Sequence, residues 1–155
     1  MKKKLLLLVA VFCFLGISLQ AQETMNKGRL VGSARVGFSN SGVPVAVAVD
    51  YGVVNGFING NAAVSVGGEV GLFMYDRVDA GLGLHLSAAA RGNFHYEFVD
   101  NLDTYVALNL GILGKDFAIG GHLGARYYFG DWGINLELGG GTTLGGSVGV
   151  SYKFL

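Results

Sequence analysis

The run GHLGARYYFGDWGINLELGGGTTLGGSVGVSYKFL, residues 121–155, decides how the rest of the chain is read. Glycine-rich breaks divide it into three segments whose residues alternate. In the last segment, Gly146 to Phe154, Val148, Val150, Tyr152 and Phe154 fall on one face. Ser147, Gly149, Ser151 and Lys153 fall on the other. A strict period of two marks a β-strand with two different environments. An apolar face ending in aromatics, opposite a small or polar face, is the pattern of a strand that crosses lipid as part of a barrel.

Upstream, the same alternation recurs. Strands are expected at about 29–38, 43–53, 62–74, 81–98, 104–113, 117–129, 133–140 and 146–154. The second is the cleanest, with Val43, Val45, Val47, Val49 and Tyr51 alternating with Pro44, Ala46, Ala48 and Asp50. Asn55-Gly56 and Asn59-Gly60-Asn61 are expected to end it, Asp76-Arg77 to mark a loop, and Asp100-Asn101-Leu102-Asp103 to make a turn. Eight strands is an even number, as single-chain outer-membrane barrels require. The expected fold is all-β: an eight-stranded antiparallel transmembrane β-barrel.

The N-terminus carries a different signal. Met1 to Lys4 is basic, Leu5 to Ile17 is nearly all apolar, and Ser18-Leu19-Gln20-Ala21 follows. This predicts a secretory signal peptide over residues 1–21 and a barrel domain over residues 22–155, led by a polar stretch at 22–28. Cys13 is the only cysteine, so the exported chain has no thiol chemistry. Three of the 11 basic residues leave with the leader, so 8 basic against 11 acidic residues gives −3. That balance is no footprint for nucleic acid. With 27 glycines but no Gly-X-Y period, collagen is excluded. Beyond residue 22 there is no run of 18 apolar residues.

The inward phase carries Arg35, Arg91 and Arg126 against Asp50, Glu69 and Glu137. Isolated buried charges are costly, so pairing is expected. A barrel of this size has room only for side chains inside. For the hairpin after the sixth strand, Asp131-Trp132 as the central pair would set Arg126 opposite Glu137.

The segment LGARYYFGDWGINLELGGG followed by SVGVSYKFL resembles the C-terminal hairpins of small outer-membrane β-barrel proteins, the OmpX- and OmpW-like group of the porin family. VDYGVV and VSVGGEVGLF are similar to that group's second and third strands. The resemblance covers nearly the whole exported chain. It implies insertion by the outer-membrane assembly machinery, which reads a terminal strand ending in an aromatic; here Phe154 is penultimate and Leu155 last. The group usually has long extracellular loops, whereas Ser39–Gly42, Asp76–Asp79, Gly114–Asp116 and Thr142–Gly145 are short. A loop-borne adhesin or receptor role loses weight accordingly.

Three places invite sharper chemistry. His85 and Ser87 share a face, and Glu69 or Glu97 would be the acid to orient the imidazole. Lipid A deacylases use such a pair facing lipid, but phase turns both residues into the lumen, where polar filling is the simpler role. His85, His95 and His122 share the inward face at different heights, without ligand spacing for a metal. Tyr127, Tyr128, Phe129 and Trp132 read as an interfacial girdle rather than a ligand cage.

The expected function is that of a small structural barrel in the cell outer membrane, with a filled lumen and both termini in the periplasm. It is expected to be monomeric and non-enzymatic, to need no cofactor or metal, and to meet outer-membrane lipids but no nucleic acid. The alternatives are a narrow channel or conduit for small hydrophobic molecules, then a lipid-modifying enzyme. A soluble ligand-holding barrel would need the reverse phase, apolar inside and polar outside.

Overall fold

The computed structural model describes residues 24–38, 43–77, 81–141 and 145–154, with backbone alone for 74–77 and 81–83. The expected signal peptide lies outside the described residues, as do 39–42, 78–80, 142–144 and Leu155.

Eight strands follow one another: β1 (Leu30–Phe38), β2 (Val45–Phe57), β3 (Ala62–Arg77), β4 (Gly81–Val99), β5 (Leu102–Leu113), β6 (Asp116–Phe129), β7 (Trp132–Gly140) and β8 (Gly146–Lys153). Each pairs antiparallel with the next, and β8 pairs with β1, so the sheet is a closed barrel. Closure leaves no unpaired edge. The seam is held inside as well as along the backbone. Ser33 and Ser151 are register partners with hydroxyls 2.9 Å apart, and Asn135 Nδ2 donates to Ser151 Oγ at 2.9 Å.

Phase sorts the side chains as the alternation requires. Val45, Val47 and Val49 are exposed, while Ala46, Ala48 and Asp50 are buried. The exposed apolar face continues through Val66, Val70, Leu84, Leu86, Leu108, Leu110, Leu123, Leu136 and Val150. Aromatics gather at the end that holds both termini. Rings meet there in pairs: Phe57 with Phe94 at 5.9 Å, Tyr96 with Phe98 at 4.6 Å, and Tyr127 with Phe129 at 5.2 Å. Trp132 stacks on Tyr152 at 4.8 Å, and Tyr152 on Phe154 at 5.0 Å. Tyr128, expected in that girdle, instead points inward and is buried. Its even number puts it in phase with Arg126, so the alternation itself excludes it from the girdle.

Four boundaries differ from the sequence reading. β2 does not stop at Asn55-Gly56 but runs to Phe57 through two register shifts. Bulges accommodate extra residues without ending a strand, and the chain turns only at Ile58, Asn59 and Gly60, all at positive φ. Asp76 and Arg77 are not loop but paired backbone, opposite Leu82 and Gly81. Leu102 and Asp103 belong to β5, because Asp100 and a left-handed Asn101 suffice to turn the chain. The β6–β7 hairpin is centred on Gly130-Asp131, with Phe129 opposite Trp132. Gly130 has φ +72. Glycine at the first central position is the type II′ arrangement, which spares Trp132 the positive φ it resists.

The leader before β1 is not simply a polar tail. Thr24 and Met25 are buried, and Met25 packs with Val31, Ala63 and Tyr128 inside the terminal mouth. Gly28 N donates to Gly52 O at 2.9 Å, and Asn55 Nδ2 to Asn26 Oδ1 at 3.0 Å. These bonds bend the segment back over the opening.

Candidate functional site

The barrel interior is the candidate site, because every expected charged position points into it. Arg35, Asp50, Glu69, Arg91, Arg126 and Glu137 come from six different strands and are all buried. They form one connected set. Arg91 Nη1 donates to Glu69 Oε2 at 2.5 Å and its Nη2 to Glu137 Oε1 at 2.8 Å, while its Nε lies 3.5 Å from Asp50 Oδ1. Arg35 also pairs with Glu69 and Glu137. Arg126 pairs with Asp50, and its Nη1 lies 3.7 Å from Asp103 Oδ2.

The expected Arg126–Glu137 pair does not form. With the hairpin centred on Gly130-Asp131, Arg126 faces Asn135 and Glu137 faces Gly124. A shift of two residues preserves phase and changes every partner. Gly124 also faces Tyr105 on β5, and the Tyr105 hydroxyl donates to Glu137 Oε1 at 2.5 Å. The Arg126 guanidinium lies over the Tyr105 ring, 4.4 Å from its centre.

Nearer the terminal mouth is a second arrangement. His95 Nδ1 and Asp103 Oδ1 are 2.8 Å apart, and Ser65 Oγ and His95 Nε2 are also 2.8 Å apart. Asn93 Nδ2 donates to Ser65 Oγ at 2.9 Å and to Asp50 Oδ1 at 2.8 Å. Both imidazole contacts follow from register. Ser65 is opposite Asn93, so His95 is its diagonal neighbour; His95 is opposite Tyr105, so Asp103 is the diagonal neighbour in turn. Diagonal residues on one sheet face are within reach of long or aromatic side chains. The sequence reading placed His95 and Ser65 on the inward face without joining them, and put Asp103 in a turn. Correct phasing of β5 from Leu102 was the missing signal.

The other histidines stand apart. His85 is exposed at the opposite mouth, beside Gly114, while Ser87 is buried. The acids that would orient that pair are engaged elsewhere: Glu69 with arginines, Glu97 with Thr24 and the Asn101 amide. His122 meets Asn109 at 3.0 Å. No group of three metal-ligating side chains occurs among the described residues.

No family model matches the chain, and no curated protein does. A solved structure described as "De novo design of transmembrane beta-barrels" is similar to it, with a TM-score of 0.60 at 17% identity. The match covers 83% of this chain and 98% of that one. The likeness is one of fold: a closed eight-stranded antiparallel β-barrel.

Proposed function

We propose that this chain is a small integral protein of a Gram-negative outer membrane, serving as a structural wall element whose lumen is filled by its own side chains. The observation that carries the reading is the Arg126–Asp50 pair. The two residues sit on β6 and β2, four strands apart by either route, so their contact crosses the barrel. The Arg91–Glu137 contact, from β4 to β7, crosses it again. Paired charges on such chords occupy the space an ion path would need.

The outer face supports a lipid surrounding. A belt of exposed valines and leucines, bordered by aromatics at one end, matches the apolar slab and interface that a barrel wall meets. Closure satisfies the backbone without water. The resemblance to OmpX- and OmpW-like proteins and the N-terminal leader favour the outer membrane, with both termini in the periplasm and insertion by the assembly machinery. The role needs neither catalysis nor a cofactor. Expression in a Gram-negative host followed by membrane separation tests it: the protein should remain in the outer-membrane fraction after an alkaline wash. Recovery in the soluble periplasm would contradict it.

A further inference from the structure

Beyond that structural role, we propose that Ser65, His95 and Asp103 form a serine-nucleophile centre at the terminal mouth, stoppered by Met25, that accepts small carboxylic esters. A carboxylate can only accept, so the Asp103 oxygen 2.8 Å away places the imidazole proton on Nδ1. Nε2 is then the acceptor, and Ser65 Oγ donates to it at 2.8 Å. Acid, imidazole and hydroxyl are in the order and at the distances that activate a serine. Arg126 Nη1 lies 3.7 Å from the other Asp103 oxygen. The Asn93 amide, which donates to Ser65 Oγ at 2.9 Å and to Asp50 Oδ1 at 2.8 Å, fixes the position of the hydroxyl.

The position makes access a question of one short segment. Asp103 is the second residue of β5 and Ser65 the fourth of β3, so the group lies in the inward layers nearest the terminal end. Met25 shares one buried cluster with Ala63, the register partner of His95, and with Val31 and Tyr128 at the same end of the barrel. Thr24 reaches Glu97 by two contacts of 3.4 Å. The anchors of stronger geometry lie further along, at Asn26 and Gly28. Thr24 and Met25 belong to no strand, so moving them aside breaks no strand pair.

In the reaction the Ser65 proton passes to His95 Nε2 as Oγ bonds to the ester carbonyl carbon. The ester C–O bond then breaks, and the departing alcohol takes the proton from His95. Water, deprotonated by His95, releases the acid and restores the serine. An alkyl fluorophosphonate is trapped at the first stage: the O–P bond forms, P–F breaks, and fluoride leaves.

The test treats the folded protein in detergent micelles with a short-chain fluorophosphonate and locates the adduct by peptide mass mapping, fold being checked by heat-dependent gel mobility. The expected result is an adduct at Ser65, formed at least ~10-fold faster in Met25→Gly. It should be absent in Ser65→Ala and about 10²-fold slower in His95→Gln, the lower end of what a positioned general base contributes. Hydrolysis of p-nitrophenyl acetate should follow the same order. If Met25→Gly fails to fold, Thr24→Ala, which removes the hydroxyl contact with Glu97 and leaves the backbone one, replaces it. No adduct at Ser65 in the folded wild type and in the folded Met25 or Thr24 variant overturns the proposal. So does equal labelling of His95→Gln, which would leave these residues as lumen filling.

Discussion

Arg126 on β6 meets Asp50 on β2, four strands away by either route round the wall. Both side chains are buried, and Asn93 supplies Asp50 with a further donor at 2.8 Å. Breaking a buried pair by removing one member typically costs about 3–5 kcal/mol, because the other charge is stranded. Asp50→Asn is therefore expected to lower stability by about 3 kcal/mol in urea unfolding of the refolded protein. Asp50→Asn with Arg126→Gln should cost less than the sum of the single changes by about 1 kcal/mol or more. Strict additivity would show that the two do not interact.

Tyr105 lies across Gly124. A Cβ at Gly124 would stand 2.2 Å from the Tyr105 Cζ, so no other residue fits under the ring as it lies. Gly124→Ala should cost about 1–3 kcal/mol, as overpacking does, and should displace the hydroxyl from Glu137. In Tyr105→Ala the same glycine change should be nearly neutral. Equal cost in both backgrounds would mean that the ring does not impose the glycine.

The outer and inner faces are separable by single substitutions. Val47 is 54% exposed and Leu108 57%, whereas Ala48 is 3% exposed. Val47→Arg or Leu108→Arg should cost about 2–4 kcal/mol near the bilayer midplane, and Ala48→Ser much less. Folding yield into lipid vesicles across a urea series measures this. A silent Val47→Arg beside a severe Ala48→Ser would mean the faces are reversed.

At the β6–β7 turn, Gly130 alone of the two central residues has positive φ. Gly130→Val should cost about 1–2 kcal/mol, since a side chain resists that backbone, while Asp131→Asn should be close to neutral. The unfolding midpoints of the two variants check it. The reverse order would restore Asp131-Trp132 as the centre and Glu137 as the Arg126 partner.

The faces could be read from sequence because a period of two admits one assignment once either face is buried. Val45 to Asp50 illustrates it: phase alone sorted each residue correctly. Partners across the lumen could not be read that way. Arg126 and Asp50 are 76 residues apart, and nothing in strand phase says which inward side chains meet across the barrel. Neighbouring partners depended on turn centres, and a one-residue error in the turn centre at Gly130, which is two residues in register, was enough to replace Asn135 by Glu137. The Ser65–His95–Asp103 chain was lost for a similar reason, since Asp103 in Asp-Asn-Leu-Asp carries ordinary turn chemistry. Burial of Met25 was hidden because one apolar residue in a polar stretch has no period.

The central claim is that side chains close the lumen, and planar-bilayer conductance of the refolded wild-type protein tests it most directly. The account predicts no stable conductance steps from the wild type, and measurable leak once Asp50 and Arg126 are both changed to alanine and the chord between β2 and β6 is gone. Steady, reproducible steps from folded wild-type protein would contradict it and make the barrel a channel.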